Sequence, residues 1–157
     1  MSKILIAYYS RTGNTEKMAK LIRDHLKNHG NDAVLKRVED VKPIDLKEFD
    51  GIIIGSPTYY GTMAAEVKRL LDDSVMLHGR LDGKVGAAFS SAGNTAGGNE
   101  TTVLSILMAM LIHGFIIQGD PKGSHYGPVS IGSPEERAQN ECVRLAERFD
   151  LLLKRLV

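Results

Sequence analysis

The sequence contains only one cysteine, Cys142, and it lacks tryptophan. A single cysteine excludes an intrachain disulfide, a CxxC redox pair and a cysteine metal cluster. A reducing compartment is the simplest setting for such a chain. The N-terminus also lacks the basic region, long apolar stretch and small-residue cleavage site of a signal peptide, so we expect a cytoplasmic protein.

An excess of charge of one sign is also missing, because 20 Lys and Arg residues face 19 Asp and Glu residues. This balance argues against a nucleic-acid partner and against a strongly acidic docking surface. The 157 residues, 43% of them hydrophobic, are enough for one domain with a sizeable core, predicted over residues 1–157. No metal site is predicted, since His25, His29, His78 and His125 lack the spacing of metal ligands.

Short apolar runs alternate with helical spacing along the chain. We predict strands at residues 4–9, 33–38, 51–55, 85–90 and 115–118. Helices are predicted at about residues 15–28, 63–71, 100–112 and 134–153, with a short helix at 45–49 and a long functional loop at 119–133. The repeated βα pattern predicts an α/β fold, a three-layer, doubly wound, five-stranded parallel sheet of strand order 2-1-3-4-5.

Residues 10–15, Ser-Arg-Thr-Gly-Asn-Thr, join the first predicted strand to the first predicted helix. Gly13 permits a sharp turn with positive φ, and the unpaired N–H groups and positive dipole end of the helix favour an anion. The segment lacks the lysine of a GxxxxGK[ST] loop and the GxGxxG fingerprint. It therefore fits a terminal phosphate monoester, and we call it the phosphate turn; an ordinary Ser/Thr/Asn helix cap is the alternative.

Two further loops are expected beside the phosphate turn, because ligands of such folds bind beyond the carboxyl ends of the strands. Residues 56–61 contain Pro57, which fixes the exit direction of the chain, and the planar side chains of Tyr59 and Tyr60. Residues 90–99, the glycine-rich loop, let the backbone approach a flat ligand closely. A flat ring with a phosphate describes flavin mononucleotide (FMN). Taken singly, the tyrosines could be packing residues and the glycine-rich loop a flexible turn.

Between residue 3 and about residue 131, four segments and the later Tyr126-Gly127 carry a family resemblance. The four segments are SRTGNT, GSPTYYGTMAAEVKRLLD, GKVGAAFSSAGNTAGGNETT and HGFIIQGD. Through them the chain resembles the flavodoxin-like NAD(P)H:quinone oxidoreductases of the WrbA family. The first motif is shared by flavodoxins in general, whereas PTYYG, GGNETT and His113-Gly114 are more specific to the quinone reductases. The resemblance implies FMN as cofactor, NADH or NADPH as co-substrate, and a quinone or similar small molecule as acceptor.

The resemblance also assigns roles to individual residues. It implies that the phosphate is held by Ser10, Thr12, Gly13, Asn14 and Thr15, with Arg11 in the same turn. One side of the isoalloxazine ring is lined by Pro57, Thr58, Tyr59, Tyr60 and Gly61. The ring edge and the ribityl chain face the glycine-rich loop at Ser90, Ser91, Ala92, Gly93, Asn94 and Gly97.

His113 is the one catalytic residue that the resemblance implies, with its imidazole donating to the flavin or to a quinone oxygen. The alternative is a helix-end residue that hydrogen-bonds the last carbonyls. Two positions depart from the family. Relatives carry a tryptophan just ahead of the fourth strand, where this chain has Leu77 and His78, and many have an aromatic residue in place of Thr12.

The predicted helix at residues 100–112 is apolar nearly all round, since from Val103 to Ile112 only Ser105 is polar. It is too short to span a membrane, and no membrane partner is predicted. A second apolar face indicates either an enclosed core helix or a subunit interface. The resemblance favours the interface, so we expect a homo-oligomer, either a dimer or a tetramer.

The predicted function is the two-electron reduction of a quinone by NAD(P)H through FMN, with ping-pong kinetics. The alternative is a flavodoxin-type electron carrier without NAD(P)H activity of its own. The balanced charge, the missing tryptophan and the apolar helix argue against such a carrier. A signalling receiver of the same strand order is disfavoured, because the first strand ends in Tyr8-Tyr9-Ser10 without an acidic magnesium cluster.

Overall fold

The computed structural model describes residues 1–156, which form seven β-strands and four α-helices. The strands are β1 (Lys3–Tyr8), β2 (Asp32–Arg37), β3 (Gly51–Tyr59), β4 (Thr62–Met63), β5 (Val85–Ala92), β6 (Ile116–Ile117) and β7 (Val129–Ile131). The helices are α1 (Asn14–Asn28), α2 (Ala65–Asp73), α3 (Asn99–Ile112) and α4 (Glu136–Leu156). The short helix predicted at residues 45–49 is a 3-10 helix at Pro43–Glu48.

The parallel strands lie in the order β2-β1-β3-β5-β6, with β7 beside the far end of β5. Alternate residues of β1 and β3 point to opposite sides of the sheet. Leu5 and Ile52 pack in one core with residues of α2 and α3, whereas Ile4 and Ile53 pack in the other with residues of α1 and α4. The predicted three-layer α/β fold and its strand order are thereby confirmed.

Two details of the predicted strands are wrong. β3 continues from Gly55 to Tyr59, because its last two residues pair with β4 in a hairpin. The fifth strand is split into β6 and β7, so part of the predicted loop at 119–133 is a strand. The chain returns to β5 at Pro128, whose carbonyl accepts the Ser90 N–H at 3.0 Å.

The segment between β6 and β7 is held against α4 by a half-buried ion pair. The Asp120 carboxylate accepts two hydrogen bonds from the Arg144 guanidinium, one of them 2.7 Å long at Nη2, and a third from the Lys122 N–H at 2.9 Å. The Arg144 guanidinium is the main reason why the pKa of Asp120 is lowered to about 2. Because this pKa lies below the ordinary aspartate value of about 3.9, the stabilisation is present above pH 4 and is lost as the pH falls towards 2.

We therefore expect Asp120→Asn to lower the free energy of unfolding by about 1.5 kcal/mol at pH 7, the lower end of the range for hydrogen bonds to charged groups, because the pair is only half-buried. The difference from the wild type should shrink between pH 4 and pH 2, as measured by urea denaturation at each pH. Asp72→Asn is the matched control, because Asp72 pairs with Lys68 on the exposed face of α2. This control should cost less than about 0.5 kcal/mol. Equal losses in the two variants would contradict the role given to Asp120.

Helix α3 buries one side and exposes apolar residues on the other. Met108, Leu111 and Ile112 are 60%, 58% and 74% exposed. The alternative of an enclosed core helix is therefore wrong. None of the described helices is long and apolar enough to cross a membrane.

Cys142 lies in the core between α1, α4 and the sheet, where it is fully buried. Burial raises the pKa of its thiol to about 12. The thiolate is the reactive form of cysteine. The only cysteine of the chain therefore acts as a small core residue.

Candidate functional site

The phosphate turn begins where β1 ends. The Tyr9 N–H still bonds the Gly55 carbonyl of β3, at 3.1 Å. Gly13 then adopts φ +98, which confirms the predicted positive φ, and its N–H donates to Ser10 Oγ at 3.0 Å. The N–H groups of Arg11 and Asn14 have no acceptor within residues 1–156. Free N–H groups ahead of α1 form an anion-binding turn.

The hairpin of β3 and β4 turns at Tyr60 and Gly61, with φ +49 and +79. Positive φ at both central residues is typical of a two-residue type I′ turn. Tyr60 is fully exposed at the tip, whereas Tyr59 is half-buried and packs edge-on against Tyr9 with ring centroids 6.4 Å apart. The Tyr59 ring is therefore held in place by packing, whereas the Tyr60 ring is exposed to solvent.

The start of α3 anchors this hairpin. Thr101 Oγ1 donates to the Gly61 carbonyl at 2.6 Å. Gly98, the residue before α3, has φ +103, and a Cβ there would come within 2.6 Å of Gly61 Cα. Two glycines thus allow the hairpin and α3 to touch through their backbones, which fixes the position of the tyrosines.

A chain of hydroxyl groups joins the ends of the strands beneath the site. Thr102 Oγ1 lies 3.1 Å from Thr58 Oγ1, and Thr58 Oγ1 lies 3.0 Å from Ser90 Oγ. Thr15 Oγ1 and Ser91 Oγ lie 2.9 Å apart and link α1 to β5. These bonds hold the three predicted loops at fixed separations, which prepares the site for a rigid ligand.

The three loops enclose a cleft of about 300 Å³. Eleven of the predicted residues line it, namely Ser10, Arg11, Thr12, Asn14, Thr15, Pro57, Thr58, Tyr59, Ser91, Ala92 and Gly93. Gly13, Tyr60, Gly61, Ser90, Asn94 and Gly97 lie in or under the same loops without lining the cleft. In the glycine-rich loop the Gly97 N–H bonds the Asn94 carbonyl at 3.1 Å. The non-glycine residues with positive φ within residues 1–156 are Tyr60 and Ala96, both beside this cleft.

His113 is not brought to the cleft within one chain. It follows α3, whose 14 residues place it about 20 Å from the end of the helix that borders the cleft. Its Nε2 lies 2.8 Å from Ser74 Oγ, which donates its own proton to the Leu71 carbonyl, so the imidazole Nε2 is the donor. Burial, and then the nearby His78, lower the pKa of His113. Within one chain His113 thus ends α3, where its N–H bonds the Met110 carbonyl at 3.0 Å as the alternative predicted, and its imidazole joins α3 to the segment after α2. Its catalytic role stays a prediction.

Sequence reasoning missed four residues around the site. Gly132 lines the cleft from beyond β7, and Arg37 donates to the Ser10 carbonyl from the end of β2. Thr101 and Thr102 hold the hairpin and the strand ends. Thr101 and Thr102 belong to the GGNETT segment, but this segment alone does not show which residues their hydroxyls would meet.

Comparison with known proteins identifies the family. The family model described as "Flavodoxin domain" matches residues 5–108. A protein named flavodoxin from Aquifex aeolicus is 40% identical over 158 aligned positions, which cover 95% of this chain and 85% of the relative. A protein named NAD(P)H dehydrogenase (quinone) from Archaeoglobus fulgidus is 35% identical over 190 positions, which cover 99% of this chain and 100% of the relative. Since this chain has 157 residues, at least 33 of those 190 positions are missing from it.

The solved structure of the flavodoxin, WrbA-like protein from Agrobacterium tumefaciens superposes with a TM-score of 0.84 over 100% of both chains, at 19% sequence identity. This likeness extends the agreement in fold to the whole chain. The matched family model, the identity to named relatives and the loops at the carboxyl ends of β1, β3 and β5 agree with one another. The chain belongs to the flavodoxin family.

Proposed function

We propose that this protein is an FMN-dependent oxidoreductase that carries electrons from NADH or NADPH to a quinone. The family implies FMN, and the phosphate turn fits its phosphate monoester, since free N–H groups and hydroxyls converge there without a lysine. Ser10, Thr12 and Thr15 would bind the phosphate. The backbone of the glycine-rich loop would face the ring and the ribityl chain.

The proposal of an enzyme rests mainly on one observation, which is that one side of the cleft is open. Among the described residues that line the cleft, the one aromatic side chain is Tyr59 of the hairpin, and Tyr60 is exposed at the tip of the same hairpin. Residues 93–99, on the other side, are Gly-Asn-Thr-Ala-Gly-Gly-Asn and contain no aromatic or charged side chain. A planar cofactor seated against the tyrosines would therefore keep a face accessible to a second planar molecule, as a nicotinamide or a quinone requires.

Bound FMN supplies the two-electron chemistry, while this chain supplies binding and orientation. Among the described residues that line the cleft there is no histidine and no carboxylate. The cleft is open to water at Arg11, Thr12 and Gly93, which are exposed. Protons for the reduced acceptor would accordingly come from solvent, and no single side chain should abolish turnover by removing an acid or base.

The test is an anaerobic titration of the FMN-loaded protein with NADH or NADPH, followed by benzoquinone. Rapid loss of flavin absorbance with a nicotinamide and its recovery with the quinone would support the reductase and rank the two donors. Steady-state rates should give the parallel double-reciprocal lines of ping-pong kinetics. Failure to take up FMN would contradict the assignment of the cleft.

A flavodoxin-type electron carrier is the second candidate, favoured by the degree of identity to the named relatives. The Aquifex relative named flavodoxin is 40% identical to this chain, against 35% for the relative named a quinone dehydrogenase, whose alignment contains at least 33 positions without a counterpart here. In the same titration a carrier would retain its flavin absorbance with both nicotinamides. That result would exclude the reductase and leave electron transfer to a partner protein.

We further propose that the exposed side of α3 is an interface between copies of this chain. Met108, Leu111 and Ile112 continue towards Val75 and Met76, which are 71% and 62% exposed, because Ser74 bonds His113 at the end of α3. An exposed apolar patch of this kind marks an interaction site.

Light scattering at micromolar concentration should show a dimer or tetramer, and Ile112→Lys should convert it to a monomer with unchanged secondary structure. Leu151→Lys on α4, where the side chain is 54% exposed, should leave the mass unchanged. A monomeric wild type would contradict the interface.

A further inference from the structure

We propose that Arg37 is a positioning residue for phosphate binding, although it does not line the cleft. Its Nη1 and Nη2 both donate to the Ser10 carbonyl oxygen, at 3.2 Å each. Ser10 is the first residue of the phosphate turn. Arg37 thus holds the turn at the point where it leaves the sheet, and this inference rests on the assignment of the cleft to FMN.

The position of Arg37 explains why a side chain is needed there. The pairing of β1 with β2 ends at Tyr8 and Arg37, after which the chain of β2 enters a 3-10 helix at Val38–Asp40. The Ser10 carbonyl lies beyond that pairing and accepts its hydrogen bonds from the Arg37 guanidinium instead. A guanidinium presents several N–H groups in a planar fork, so two of them can donate to the two lone pairs of one carbonyl oxygen.

Fixing the Ser10 carbonyl also fixes the next N–H group. In a trans peptide unit the C=O and the following N–H lie in one plane and point in opposite directions. Arg37 draws the Ser10 carbonyl towards β2, so the Arg11 N–H points away from β2. Ser10 and Arg11 line the cleft, and the Arg11 N–H has no acceptor within residues 1–156. Arg37 therefore presets one donor for the phosphate.

The guanidinium is itself held in place from several sides. Its Cζ lies 5.8 Å from the ring centroid of Tyr8 and 5.6 Å from that of Tyr9. Nη2 also donates to Glu39 Oε1 at 3.0 Å. Since Glu39 balances the charge, the contribution of Arg37 to phosphate binding is geometric more than electrostatic. A cation without the planar fork should therefore restore phosphate binding only in part.

The experiment measures dissociation constants for FMN and for riboflavin, which lacks the phosphate, by quenching of flavin fluorescence. We expect Arg37→Gln to weaken FMN binding about tenfold, the effect of one well-made hydrogen bond to a fixed group, and to change riboflavin binding less than about twofold. Arg37→Lys keeps a cation but not the planar fork, and its affinity for FMN should fall about threefold by the same reasoning. Arg23→Gln is the matched control, because Arg23 pairs with Asp24 on α1.

The outcomes separate this inference from the proposed function. A wild-type protein that does not bind FMN would reject the assignment of the cleft itself. If the wild type binds FMN, an Arg37→Gln variant within twofold of it would overturn the positioning role. Equal losses for FMN and riboflavin would also overturn it, because they would show a general effect on the cleft. Circular dichroism of each variant verifies that the chain is folded, and the lysine variant covers a failure of the glutamine variant to fold.

Discussion

Replacement of Gly13 by alanine should weaken FMN binding about fivefold to thirtyfold in a protein that still folds. Gly13 has φ +98, and a Cβ built there meets nothing within 4 Å. The added methyl group therefore creates no clash, and its whole effect comes from the left-handed backbone, which costs a non-glycine residue about 1 to 2 kcal/mol. The variant can avoid this strain only by changing the turn, which redirects the N–H groups of the phosphate turn. Binding of FMN must then restore the strained turn, so the strain appears in the dissociation constant.

Gly30→Ala is a matched control for this prediction. Gly30 follows the other end of α1, has φ +84 and also has nothing within 4 Å of a Cβ. Gly30→Ala should bind FMN as the wild type does, because any strain or rearrangement there lies away from the cleft, and only Gly13→Ala should lose affinity for FMN. Equal FMN affinities in Gly13→Ala and the wild type would contradict the phosphate turn as the anion site.

The parts of the site that the sequence predicts are those in which one short segment carries the whole signal. Gly13 between hydroxyl residues, the tyrosine pair after Pro57 and the glycines of the loop at 90–99 each define a turn locally. The apolar runs of the central strands predict the parallel sheet in the same way, and its strand order then brings the three loops together. Fold and loops could therefore be predicted without any knowledge of contacts.

The features that the sequence does not reveal depend on residues far apart in the chain. Arg37 meets Ser10 across 27 positions, and Thr102 meets Thr58 across 44. Neither side chain has a local pattern, because an arginine at a strand end and a threonine in a helix are both ordinary. The distance between His113 and the cleft is not predictable for another reason. Its helix-end position was clear, but only the three-dimensional structure shows that α3 carries it away from the cleft and towards Ser74.

Gly55→Ala should destabilise the protein by about 3 kcal/mol, the upper end of the usual cost of overpacking. Gly55 pairs with Phe89 across β3 and β5, and a Cβ at Gly55 would come within 2.1 Å of the Phe89 ring. Phe89 is fully buried, so the ring has no free space to enter. For a chain of this size the loss corresponds to a melting temperature about 6 to 12 °C lower, measurable by circular dichroism. Gly93→Ala, where a Cβ meets nothing within 4 Å, is the control and should be nearly neutral.

The clash with Phe89 can be separated from a loss of strand flexibility by a double-mutant cycle. Phe89→Leu removes much of the ring, so Gly55→Ala should cost at least 1 kcal/mol less in that background than in the wild type. Simple additivity of the two costs would contradict the contact as the cause.

Phe89 directly precedes Ser90 and Ser91, whose hydroxyls bond Thr58 and Thr15 at the base of the cleft. If the ring is displaced in Gly55→Ala, the end of β5 should move with it, and the loss of stability should be accompanied by weaker FMN binding that Phe89→Leu partly restores.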